Sequence, residues 1–248
     1  MRKPLFTIAL LLFSALGWAQ SKGDIVSEYL SITDKDGKEV VAKAPLPPGS
    51  WHVVSAVVRN STGGNTRAVM KDVTLDNIAE GRVRMALFIT ARVNDSPIRW
   101  EDDFCTDFPR LLSKNDFGTH LYKQKCIIVW MNTFLQSQSN GARSTRAYLD
   151  GLGVKYDSNQ IGFSYGRHGD IGRFLIYELS FFPSNYGLDN PVVTNLIDSP
   201  YYPANIQKSP EKATFAKAVM AYAESVAPQL DDFYFGKETA PLPEFKPN

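Results

Sequence analysis

The residues Lys125-Cys126-Ile127-Ile128-Val129-Trp130-Met131 constrain this chain more than any other stretch. An extended strand turns successive side chains to opposite sides. A run that is apolar at both parities therefore has to be covered on both faces, which places it at the centre of a sheet rather than at its edge. The rest of the chain must then supply strands to flank this one and further elements to cover it. The run also carries one of only two cysteines; the other, Cys105, lies 21 positions upstream.

What those cysteines do depends on where the chain goes. It opens with Met1-Arg2-Lys3, continues through an apolar run from Leu5 to Leu16, and reaches small residues at Gly17 and Ala19. A basic start, a short apolar core and small residues are the parts of a secretory signal peptide. The run is too short to span a bilayer comfortably, so we expect cleavage after Ala19 and a mature chain of residues 20–248 without a transmembrane segment. In an exported protein two cysteines are expected as a bridge, Cys105–Cys126, rather than as a thiol site. A thiol nucleophile or metal ligand would need histidine support, and the nearest histidine, His120, has no companion. The expected address is periplasmic or secreted.

Formal net charge is +1, which gives no electrostatic case for nucleic acid or anionic lipid as partner. With 44% hydrophobic and 12% aromatic residues the chain can build a sizeable core, and its length suits a single domain over residues 20–248.

In chain order, Asp34-Lys35-Asp36-Gly37-Lys38 separates two apolar segments and predicts a hairpin turn. It also looks like the start of a calcium loop, but the twelfth position, which should be glutamate, is Pro45. Trp51–Val58, Val69–Ile78 and Arg82–Arg92 read as a meander of strands with short connections. Trp100 to Asp116 reads as a loop with a helical turn, Gln136 to Ser144 as a surface loop, and Ser144 to Leu152 as a short helix stopped by Gly153. Gln160–Tyr165 and Arg173–Phe182 are two further strands, and Pro183 to Gln207 is a proline-punctuated connection. Ser209-Pro210-Glu211 starts a helix expected to end at Ala227, before Pro228. In it Phe215, Val219, Tyr222 and Val226 form one stripe, expected to dock on the sheet. An irregular tail follows from about residue 231. The predicted fold is thus a single α+β domain, a largely antiparallel central sheet of about six strands covered by helices.

Chemistry is harder to find. Gly162-Phe163-Ser164-Tyr165-Gly166 matches the G-x-S-x-G pattern of serine hydrolases, which needs its serine on a sharp strand-to-helix turn. Here a glycine-rich stretch follows instead of a helix. A different arrangement of Ser164, His168 and Asp170 is the one catalytic alternative, because triads are defined by geometry. Ser209-x-x-Lys212 fits a helix start as well as a catalytic dyad, and Glu101-Asp102-Asp103 with Asp107 fits a solvated surface. No spacing points to a metal or cofactor. The aromatic residues Phe181, Phe182, Tyr186, Tyr201 and Tyr202 suggest a further alternative, a lipid or small-ligand carrier with its pocket under the 183–207 connection.

Two resemblances bear on this. The Leu46-Pro47-Pro48-Gly49-Ser50-Trp51 segment, with Ser209 to Pro228 followed by Phe235-Gly236, resembles an uncharacterised family of exported bacterial proteins. The order of elements is also loosely similar to the PsbP and Mog1 proteins, in which helices pack both faces of an antiparallel sheet. The first resemblance implies a bacterial envelope protein and brings no activity or site residues. The expected function is a non-catalytic binding or accessory domain whose partner is a protein or small ligand of the envelope, with a small hydrolase using Ser164, or the carrier, as alternatives.

Overall fold

The computed structural model describes residues 21–63, 66–94, 104–117, 124–135, 140–169 and 172–247. The expected signal peptide, His120, Glu101–Asp103 and Asp170 lie outside them. The elements in order are β1 Ile25–Val26, β2 Tyr29–Thr33, β3 Val40–Pro45, β4 Trp51–Gly63, β5 Thr66–Ala79, β6 Arg82–Arg92, β7 Leu111–Asp116, β8 Lys125–Thr133, helix α1 Asn140–Gly151, β9 Asn159–His168, β10 Phe174–Phe181, α2 Pro203–Ile206 and α3 Pro210–Tyr234.

Eight strands form one sheet in the order β1-β4-β5-β6-β10-β9-β8-β7, every neighbouring pair antiparallel. Among the described strands the other two, β2 and β3, pair with each other alone. The expected α+β domain of about six strands covered by helices is therefore corrected. The protein is mostly antiparallel β, 40% strand against 24% helix, with a wider sheet and a separate hairpin. The turn at Asp34 is present, and the Asp34 carboxylate accepts from the Lys38 backbone N–H at 2.7 Å. Its two strands, however, lie on the large sheet rather than in it.

The strand carrying Cys126, β8, lies one position in from the edge, next to β7. Being apolar on both sides required cover, not centrality. Edge strand β7 replaces the expected loop. Among the described strands it pairs on one edge alone, and its residues Leu-Leu-Ser-Lys-Asn-Asp are at most half-buried, with charges that discourage pairing with other chains.

One face of the sheet meets α3, the β2–β3 hairpin and the C-terminal segment. Val73, Leu75, Leu87, Ile89, Val129, Phe163, Tyr177 and Leu179 of the sheet belong to this core. From α3 the buried residues Phe215, Val219, Tyr222, Val226, Leu230 and Phe233 recur at three- and four-residue intervals, so the predicted stripe holds and is longer than expected. The helix continues through Pro228 to Tyr234. Pro228 is exposed, so the carbonyl left without its intrahelical donor faces water, while Leu230 and Phe233 on the other side pull the last turns onto the sheet. Asp231 fixes this end, accepting from Lys125, Tyr165 and Arg167.

The segment after α3 is irregular but packed. Leu242 and Phe245 are buried, and Phe245 touches the rings of Phe181, Tyr186, Phe215 and Tyr222. The 183–207 connection is pinned in the same manner, with Ser199 donating to the buried Asn159 at 2.7 Å. Phe181, Phe182 and Tyr201 are wholly buried. The aromatic residues there thus fill core and hold the connection down.

The other face is covered from two ends. Over one end lies α1, which begins at Asn140, earlier than expected, and packs Tyr148 and Leu149 against Phe134, Val83 and Phe182. Over the other end the segment from Phe104 to Arg110 folds back on β8. Between them, part of the sheet face is left uncovered by the described residues.

Candidate functional site

Alternation decides what the open face shows. In β9 the residues Ile161, Phe163 and Tyr165 point into the α3 core, so Gly162, Ser164 and Gly166 point the other way. Small side chains at three consecutive positions of one parity leave a trough along the strand. Two aromatic rings lie in it. A Cβ on Gly166 would stand 1.9 Å from the Phe104 ring, and one on Gly162 would stand 2.9 Å from the Trp130 ring. The two glycines of the G-x-S-x-G pattern are thus the seats of two rings.

Ser164 lies between the seats, in mid-strand rather than on a strand-to-helix turn. Its hydroxyl accepts from Trp130 Nε1 at 2.7 Å and donates to Glu178 Oε1 at 2.8 Å. Glu178 is the residue directly across from it on β10. Burial raises the Glu178 pKa, and the Ser164 hydrogen bond and the charge of Arg110 oppose that shift. The carboxylate is half-buried at the groove floor, where protein crowds it on most sides.

Arg110 sits at the far end. It donates to Asn132 Oδ1 at 2.7 Å, and its guanidinium lies 5.9 Å from the Phe108 ring centroid. With Phe108, Ile128 and Ile176 these residues enclose a groove of about 230 Å3. Its outer wall is tied down by the Cys105–Cys126 disulfide, whose Cα atoms are 6.0 Å apart, as the cysteine count predicts. The bridge holds Phe104 against β8 and β9.

The bridge carries its own test. Denatured protein from an oxidising compartment should release no thiol, and reduction should lower stability by about 3 kcal/mol on the chain-entropy model. Two alkylatable thiols in the native exported protein would refute this.

The other candidates fall elsewhere. His168 lies four residues beyond Ser164 on the same strand, about 13 Å along it at the usual rise, and its Nε2 is 3.2 Å from Gln124 Oε1. Lys212 pairs with Asp189 at 2.7 Å, so the Ser209–Lys212 pattern is a helix start tied to a neighbouring loop. Asp107 pairs with Lys114. No group of three or more His, Cys, Asp or Glu side chains suited to a metal occurs among the described residues. A larger hollow of about 880 Å3 opens between the β2–β3 hairpin and the end of α3. Its Asp34 is already used by the turn, and its Arg173 lies over the Phe235 ring and reaches the Tyr234 carbonyl. The smaller groove has the more convergent chemistry.

Sequence reasoning singled out Ser164 but missed Glu178, Arg110 and Trp130 as its companions. Glu178 had a visible signal, as the one charged residue inside the largely apolar Phe174–Phe181 strand. Comparison with protein-family models, with curated proteins and with solved structures finds no match to this chain. The groove must be read from its own geometry.

Proposed function

We propose that this is an exported bacterial envelope protein that binds a small ligand, without covalent chemistry, in the groove floored by Ser164 and Glu178. The observation that carries the reading is the Trp130–Ser164–Glu178 chain of hydrogen bonds between aromatic walls. It gives a concave site with apolar sides and a few convergent polar groups, the usual form of a small-molecule site. The Ser164 hydroxyl is engaged on both sides, with a donor occupying one lone pair, which favours a fixed polar floor over an activated nucleophile. Export is supported by the leader-like residues 1–19, by the resemblance to exported bacterial proteins and by the disulfide. No described helix is long and apolar enough to cross a membrane.

Native mass spectrometry of protein purified from its own host should show a retained small molecule, lost when Trp130 or Glu178 is replaced. A retained molecule that survives both replacements would place the site elsewhere. Stoichiometric labelling of Ser164 by a serine-reactive probe would overturn the non-catalytic part of the reading in favour of the hydrolase.

A further inference from the structure

Among the described residues the groove holds two opposite charges that do not meet. Glu178 and Arg110 line the same cavity and feel each other electrostatically, yet no ion pair joins them. Glu178 spends Oε1 on the Ser164 hydroxyl, and no described side chain donates to its Oε2. Arg110 spends one N–H on Asn132 and keeps others of its five donors. By strand register Trp130 lies on the Arg110 side of Glu178 and Ser164, Phe104 and Ile176 lie on the Gly166 side, and Phe108 and Ile128 complete the lining.

Bringing the two side chains together would satisfy both charges, but each is held back by its own neutral partner, Ser164 or Asn132. Separated charges in a crowded, half-dry site are poorly solvated, and each gains most from a charged hydrogen-bond partner. A ligand that offers only a cation would satisfy Glu178 and leave Arg110 as it is. A ligand that offers only an anion would do the reverse. One that carries both, separated by a short apolar body, satisfies the two ends and lays its carbon chain against the rings. The volume, about 230 Å3, is below that of sites for drug-sized molecules and sets the size at a small metabolite.

Resting on the binding reading above, we infer that the ligand is a small zwitterion. Its ammonium sits on Glu178, its carboxylate on Arg110, and its apolar body against Trp130 and Phe108. Neutral sugars lack the charge pair, and long-chain lipids exceed the volume.

The test uses matched probes of one carbon skeleton: 5-aminopentanoate, pentylamine and pentanoate, with leucine and phenylalanine as zwitterions of different shape. Titrations by calorimetry and by tryptophan emission are compared, with Trp130→Phe removing the emission change that arises in the groove. At least one zwitterion should bind 10-fold or more tightly than both singly charged probes. Glu178→Gln, which keeps the Ser164 hydrogen bond, should reduce zwitterion affinity to that of the acid. Arg110→Met should reduce it to that of the amine, with thermal unfolding confirming that both variants fold. Equal affinities across the panel, or an amine binding as well as the best zwitterion, would refute the zwitterion inference and leave the binding groove standing. If no probe binds and the natural protein retains no ligand, both readings fall.

Discussion

Val219→Asp is expected to unfold the protein or to cost several kcal/mol, whereas Lys217→Asp should change stability by no more than about 0.5 kcal/mol. Val219 is wholly buried on the face of α3 that meets the sheet. A carboxylate there would lie among Phe163, Leu179, Tyr222 and the rest of the same core, with no donor to receive it. Lys217, two positions away, is exposed. Both changes introduce the same group on the same helix, and Lys217→Asp makes the larger change in net charge and gives up the better helix former, so a larger cost for Val219→Asp has to come from burial. Thermal or urea unfolding of the two variants measures the contrast. Equal shifts would mean that α3 is not docked through this stripe, and the cover of that face would have to be assigned to something else.

That stripe was legible because helical periodicity is a local property, readable wherever a buried face repeats every three or four residues. The same held for the strands with alternating or two-sided apolar patterns and for the turn at Asp34. What was not legible was cover and edge. Two-sided strands demand burial but do not say by what. One face received a helix, a hairpin and the Leu242–Phe245 segment, and the other a short helix and a disulfide-tied loop. Strand β7 exists because β8 offers it a free edge, a non-local cause that its own polar residues do not announce. Pro228 argued for a helix end, and burial of Leu230 and Phe233 outweighed it. In the groove, the G-x-S-x-G letters drew attention to the right residue, Ser164, for its motif alone. The reason for the glycines became clear only once Phe104 and Trp130 were seen lying on them. Glu178 and Arg110 come from strands and loops far apart in the chain, and nothing local links them.

Asp76→Asn is expected to remove most of one acid-to-neutral stability change from the protein. Asp76 lies in the interior of β5, 1% exposed, between His52 on β4 and Ala86 on β6. Neither of its carboxylate oxygens has a hydrogen-bond partner. Burial raises its pKa from 3.8 to about 7. The neighbouring His52 is no cationic partner at neutral pH, since burial lowers its own pKa. With the folded pKa above the unfolded one, the unfolded chain gives up this proton near pH 4 while the folded chain keeps it. The unfolded state then binds fewer protons, so stability falls as pH rises from about 4 to about 7 and is level above that. Three pKa units correspond to roughly 4 kcal/mol, an upper figure for a site that relaxes or admits water. Asparagine matches the shape and carries no charge, but its amide is also left without partners, at a cost of about 1–3 kcal/mol. At pH 4, then, the variant should be no more stable than the natural protein, and at pH 8 it should be the more stable of the two. Urea denaturation at both pH values measures this as a difference of differences, in which the other titrating groups cancel. An unchanged pH dependence in the variant would mean that Asp76 is either ionised with a donor or open to water in the folded protein, and that the sheet face under α1 is wetter than its packing indicates.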